Sequence, residues 1–365
     1  MLFIAIVLTA LRAGAQSATE VSKSGCISGN CITGTGTYVY NNGTRYEGQW
    51  VKYKRHGYGK YYYSDSGTYA GEWRADRRNG PGTFVYWDKD SCIGHWINDT
   101  LSGFATYYFN DGGKYTGNWK RDSMSGKGTY LYPEGGHYTG DWVRGHREGT
   151  GTCHYGDGGT YTGEWKNGLR HGYGVAHFKD SATYEGQWVR DTITGEGKYS
   201  YSNGAKYTGS WLNGKYHGEG TLNFADGAVY SGTWVYGERK GHGSMTYTDG
   251  GKYVGNFRAN ARNGNGIYYY SDGSKYTGDW VDGKRDGTGL MSYDSSGSVY
   301  DGQWSNDSVT GQGRCTFANG DVYDGHWKHG RFDGTGTYFT AAGGVYIGEW
   351  ENGKKIKKRR RKKKR

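Results

Sequence analysis

The sequence predicts an all-β fold, an elongated single-layer twisted antiparallel sheet of tandem β-hairpins. Three observations carry that reading. A Tyr-x-Gly-x-Trp pentad starts at Tyr46, Tyr69, Tyr115, Tyr138, Tyr161, Tyr184, Tyr207, Tyr230, Tyr253, Tyr276, Tyr300, Tyr323 and Tyr346, and one further copy starts at Cys92. Every step is 23 residues except Tyr276 to Tyr300, which is 24. A Gly-x-Gly mark follows 11 residues after the pentad start, as at Gly57, Gly80 and Gly126, with a first one at Gly34. A fixed period of this length means stacked supersecondary units.

Within the pentad, Tyr161, Gly163 and Trp165 are two apart, so in a strand they share one face, while Thr162 and Glu164 take the other. The Gly-x-Gly mark is read as the start of a second strand with the same logic. In Gly126-Lys127-Gly128-Thr129-Tyr130-Leu131-Tyr132 the glycines and both tyrosines point one way. Each unit is thus two antiparallel strands with an aromatic and a polar face. Fourteen such pairs give 28 strands. Glycine weakens a strand, so its placement on the aromatic face needs a reason. The expected reason is room for a large ring to lie across bare neighbouring backbone. Asn42-Gly43, Asp111-Gly112 and Asn203-Gly204 join one strand pair to the next, and Asn167-Gly168 and Asn213-Gly214 sit within units. Such pairs are strong hairpin signals. The one-residue insertion falls within Ser292 to Ser298, between two strands, where a sheet can absorb it without reversing side chains.

The unit, as in Tyr184-Glu185-Gly186-Gln187-Trp188 with Gly195-Glu196-Gly197, resembles the MORN (membrane occupation and recognition nexus) repeat. The resemblance covers about 14 tandem copies over residues 34–353. It implies a scaffold, a membrane-associated module or a partner platform. Family members that are enzymes carry a separate catalytic domain, and residues 1–33 and 354–365 are too short to build one. The expectation is therefore no enzyme activity, no cofactor and no small-molecule substrate.

Composition agrees. There are 37 Tyr, 14 Trp and 69 Gly, so the aromatics must supply the core. The net charge of +11 suggests a basic protein, but residues 354–365 hold eleven of the 46 Lys and Arg and no acid. What remains is 35 basic against 35 acidic residues, so the repeat body is neutral. No specific nucleic-acid binding is expected of it.

Residues 1–15 read as a signal peptide, with a short apolar run and Ala13-Gly14-Ala15 as the cleavage site. That would send the protein to the secretory pathway, the extracellular space or the periplasm. Otherwise a cytoplasmic or peripheral-membrane location is expected. Residues 16–33 form a cap segment in which Cys26 and Cys31 are a candidate disulfide over the first edge strand. Cys92, Cys153 and Cys315 fall on aromatic-face positions and read as small buried hydrophobes. Of the eleven histidines, His56, His171 and His217 share one slot just before Gly-x-Gly, read as loop positions far apart along the array. No two histidines are expected to share an ion, and no metal site is expected.

After Tyr346-Ile347-Gly348-Glu349-Trp350 and Asn352-Gly353, the next Gly-x-Gly should begin at position 357. The chain instead reads Lys354, Lys355, Ile356, Lys357, Lys358, Arg359, Arg360, Arg361, Lys362, Lys363, Lys364 and Arg365. This polybasic tail is expected to protect the open sheet edge and to anchor on an anionic membrane surface. Three function classes compete. The first is a non-enzymatic scaffold that holds a protein partner or a second copy. The second is a phospholipid-binding module proper, which the neutral repeat body argues against. The third is a secreted carbohydrate or cell-wall binder that uses aromatic rows. For a ligand in the aromatic trough, Trp165, Trp188 and Trp211 are the most central residues, with a structural role as the competing reading.

Overall fold

In a computed structural model of the protein, residues 24–356 are described. The expected signal peptide, residues 16–23 of the cap segment and residues 357–365 of the tail lie outside the described residues. Among the described residues there are 31 strands and no helix. The three beyond the expected 28 are Gly25–Gly29, Thr100–Leu101 and Lys354–Lys355.

The described residues divide into two compact units, residues 24–134 with 142–145 and residues 135–141 with 146–356. Each is an array of antiparallel strands paired with their sequence neighbours. In the first unit Gly25–Gly29 pairs with Gly34–Val39, and the ladder runs on to Lys114–Lys120 with Ser123–Leu131. In the second it runs from His146–Tyr155 with Thr160–Lys166 to Val345–Glu351 with Lys354–Lys355.

The repeat built on Thr160–Lys166 and Leu169–His177 shows how the sequence makes the hairpin. Asn167 and Gly168 both have left-handed backbone, with φ of 51° and 79°. That is the type I′ turn whose twist matches its flanking strands. The same geometry recurs at Lys52-Tyr53, Ala75-Asp76 and Arg190-Asp191, where the residues alone give no turn signal. The second strand begins at Leu169, three residues before Gly172-Tyr173-Gly174. His56, His171 and His217 accordingly lie within strands, which corrects their reading as loop residues.

The two glycines of the mark do different jobs. Gly163 pairs with Gly174, but Glu164 pairs with His171 and Trp165 with Arg170, so the second strand carries two extra residues there. Gly172 sits in this bulge at φ +55°. It is required for backbone conformation, which corrects its assignment to the aromatic face. Gly174 is required for room. A Cβ built on it would stand 2.5 Å from Tyr161 Cε2 and Cζ, and closer still to Oη.

The core is therefore a row of rings laid on glycine backbone. Tyr161 is fully buried, and its hydroxyl donates to the Glu164 carbonyl at 3.0 Å. Trp165 Nε1 donates to the Gly151 carbonyl of the preceding strand at 3.1 Å. Tyr161 meets Trp165 edge-on at 5.1 Å and Trp188 at 5.5 Å. Tyr184 does the same with Trp188 and Trp211. Tyr46 repeats the pattern with Trp50 and Trp73 in the first unit. Each such pair contributes about 0.5–1.5 kcal/mol beyond its buried area. Burial also holds the phenols protonated, with Tyr230 and Tyr253 pushed up to about 12.

The insertion falls in a loop, as the alternation requires. Tyr270 N–H bonds the Ser274 carbonyl four residues on, whereas Tyr293 N–H bonds that of Ser298, five residues on. Strands Lys284–Ser292 and Val299–Ser305 keep their faces.

Candidate functional site

One recurring contact is not anticipated from the sequence. Arg170 follows the turn by one residue, and its guanidinium carbon lies 4.3 Å over the Trp188 ring of the next repeat. Its Nε is 2.9 Å from Asp191 Oδ1, and its backbone N–H also donates to that oxygen at 2.9 Å. Arg55 with Trp73 and Asp76, Arg78 with Trp96 and Asp99, and Arg285 with Trp304 and Asp307 repeat the clamp. The signal was present as an arginine recurring at the repeat period. Its role needed the neighbouring turn to be in place.

The repeat at Cys92 departs from the rest in a correlated way. Cys92 stands where a pentad tyrosine would, and Ala105 where the second glycine would. Without the ring there is space for a methyl group, and Leu101 and Ala105 are both buried in it. A Cβ built on Gly94 would meet Leu101 Cδ1 at 2.8 Å. Trp96 Nε1 in this repeat and Trp119 Nε1 in the next are buried with no hydrogen-bond partner among the described residues. Cys92, Cys153 and Cys315 are free and buried, and burial raises the Cys92 and Cys315 thiols to about 12 and about 11.

These packing rules decide what the array can present. Trp165, Trp188 and Trp211 are 3%, 2% and 5% exposed. Each spends its indole N–H on a glycine carbonyl. Their ring faces belong to the interior. Large apolar side chains open to solvent lie elsewhere, in both units, Ile347 and Tyr173 in the second among them. On the outward face of the first unit Phe104 is 65% exposed, Tyr58 63% and Ile93 53%. Ile93 lies in register with Thr83 and Thr106, Val85 with Ser91, and Ser91 with Tyr108. This places Val85, Ile93, Phe104 and Tyr108 on one sheet face, because alternation sends Phe84, Cys92, Ala105 and Tyr107 inward. The departures from polar alternation at Tyr58, Ile93 and Phe104 were visible in the sequence. Period alone gave no reason to weigh them. In the second unit the same face is mixed, reading Thr152, Thr162, Val175, Glu185, Lys198 and Thr208 along the register, with Tyr173, Leu290 and Ile347 exposed on it as well.

At the start of the array Cys26 and Cys31 are joined as a disulfide, with their Cα atoms 6.0 Å apart. A Cβ on Gly36 would meet Cys31 Sγ at 2.9 Å, so this sulfur covers a glycine that elsewhere lies under a tyrosine ring. At the other end Lys354 and Lys355 pair with Glu351 and Trp350. Lys355 Nζ lies 4.3 Å over the Tyr346 ring, in the slot taken elsewhere by arginine. Lys357, Lys358, Arg359, Arg360, Arg361, Lys362, Lys363, Lys364 and Arg365 lie outside the described residues. Among the described residues no three His, Cys, Asp or Glu gather as a metal site. The rings of His137 and His154 are stacked, with centroids 4.5 Å apart, because they lie across from one another on strands Gly136–Val143 and His146–Tyr155.

The match to a family model agrees with this architecture. The MORN repeat matches fifteen consecutive segments, from residues 32–45 and 46–68 to 323–345 and 346–355. No curated protein matches the chain. Among solved structures, the TCP10 domain of Danio rerio CPAP in complex with a STIL peptide is 12% identical, over 54% of this chain and 88% of that one, with a TM-score of 0.32. The TCP domain of Drosophila melanogaster SAS-4 with a proline-rich motif of Ana2 is 15% identical, over 43% and 86%, with a TM-score of 0.28. A streptogramin B lyase is 13% identical, over 83% and 93%, with a TM-score of 0.13.

Proposed function

The chain belongs to the MORN-repeat family, and from that premise we propose that it is a non-enzymatic scaffold that holds a protein partner on the outward sheet face of its first unit. One observation carries the reading. The aromatic row is consumed by packing and backbone hydrogen bonds, so exposed apolar side chains on the outward face are what a partner can still bury, and in the first unit Val85, Ile93, Phe104 and Tyr108 gather four of them on neighbouring strands. Apolar side chains exposed on one face, here interleaved with Ser91, Thr83 and Thr106, are where an interaction surface is sought. A photoreactive residue placed at Ile93 in the full chain should capture a partner of defined mass in a native extract. Phe104→Ser should abolish that adduct while circular dichroism stays unchanged. An adduct that survives Phe104→Ser would reject this face.

The tail adds a second contact in this proposal. Eleven cations stand in residues 354–365, and each is worth about 1 kcal/mol beside an acidic membrane. The full chain should sediment with phosphatidylserine vesicles at low salt. Replacement of the cations at 357–365 by serine should release it. Retained binding would favour the competing reading of the repeats themselves as a phospholipid module.

A further inference from the structure

We propose that His137 and His154 form a two-imidazole site for a borderline divalent transition ion, with Cu²⁺ held most tightly. The site follows from strand alternation. His137 precedes Tyr138 and His154 follows Cys153. Tyr138 and Cys153 are both fully buried on the inward face, so the two histidines are turned outward together. Their rings are stacked, with centroids 4.5 Å apart and planes within 19°. Both side chains start from backbone held in the ladder, so the donors are presented from rigid elements rather than from loops.

Two imidazole nitrogens on one ion, each at about 2.0–2.1 Å, stand roughly 3 Å apart. Stacked rings hold their nitrogen lone pairs in near-parallel planes, so each ring must turn about its Cβ–Cγ bond, a broad torsion for histidine, before both nitrogens face one ion. His154 pairs across the ladder with Thr160, and Thr160 with His177. His177 is therefore two strands from His154, about 10 Å at the usual strand spacing. It cannot join the same ion. The site has two protein donors, and water completes the shell. Neutral imidazole suits copper, nickel and zinc, and the divalent series places Cu²⁺ ahead of Ni²⁺ and Zn²⁺. Bound metal would join two neighbouring strands of the second unit across their solvent face.

The test is calorimetric titration of the full chain with CuCl₂ in a non-coordinating sulfonate buffer. Electron paramagnetic resonance is recorded on the same samples. The expected result is one Cu²⁺ per chain with two nitrogen donors. His137→Ala and His154→Ala should each weaken binding at least tenfold, and His177→Ala should leave it unchanged. Circular dichroism should be the same for all three, since each side chain stands on the outward face. Binding that survives His137→Ala and His154→Ala, or that falls equally with His177→Ala, overturns the proposal. So does a resonance spectrum that shows a single nitrogen donor.

Discussion

Replacement of Gly174 by alanine tests the central packing rule. The new Cβ would stand 2.5 Å from two carbons of the Tyr161 ring. An ordinary carbon contact is about 3.5–4.0 Å, so the ring must move by roughly 1 Å. It has nowhere to go, because Trp165 and Trp188 meet it edge-on at 5.1 Å and 5.5 Å. Overpacking of this kind costs about 1–3 kcal/mol. Displacing the hydroxyl from the Glu164 carbonyl, now at 3.0 Å, adds about 1 kcal/mol. Removing glycine from a strand returns about 0.5–1 kcal/mol. The expected net loss is about 2–3 kcal/mol, read by urea unfolding and by hydrogen exchange across the affected hairpins. The decisive control is the same substitution in a Tyr161→Cys background, which copies the natural combination of Cys92 and Ala105. There Gly174→Ala should cost little, giving a coupling of at least about 1.5 kcal/mol. An equal cost in both backgrounds would refute the idea that the second glycine exists to make room for the ring.

Arg170→Ala should destabilise the array by about 1–2 kcal/mol through loss of the stack on Trp188 and the Asp191 pair, and Arg170→Lys should not restore it, because the planar fork serves both contacts. Thermal unfolding of the two variants checks this. Burial raises the phenols of Tyr230 and Tyr253 from the ordinary 10.0 to about 12, so the folded chain keeps protons that the unfolded chain releases. Stability should be complete below pH 10 and fall as pH rises toward 12. Tyrosinate absorbance should then appear together with loss of circular dichroism rather than before it. Replacing Cys26 and Cys31 by serine should cost about 2 kcal/mol, the entropy of so short a loop. The loss should be confined to hydrogen exchange in the strands Gly25–Gly29 and Gly34–Val39.

Much of the fold was legible in the repeat. The period set the hairpin unit, and alternation separated Tyr161 and Trp165 from Thr162 and Glu164. The insertion near Ser292 had to fall in a loop because a slip inside a strand would have reversed its faces. The site was less legible. The same aromatic period that announced the core drew attention to Trp165, Trp188 and Trp211. The exposed group around Phe104 appeared only as scattered exceptions to a pattern.

By itself the sequence determined the hairpin order and the aromatic layer, because both depend on local alternation and a regular spacing. Tertiary structure alone decided which glycine bends the backbone at Gly172 and which makes room at Gly174. It also decided that Arg170 reaches Trp188 and Asp191, and that His137 faces His154. Those relations join residues 17 to 21 positions apart, and in the hairpin that carries Arg170 the register is set by a two-residue bulge. A bulge leaves the repeat length unchanged, so periodicity does not reveal it.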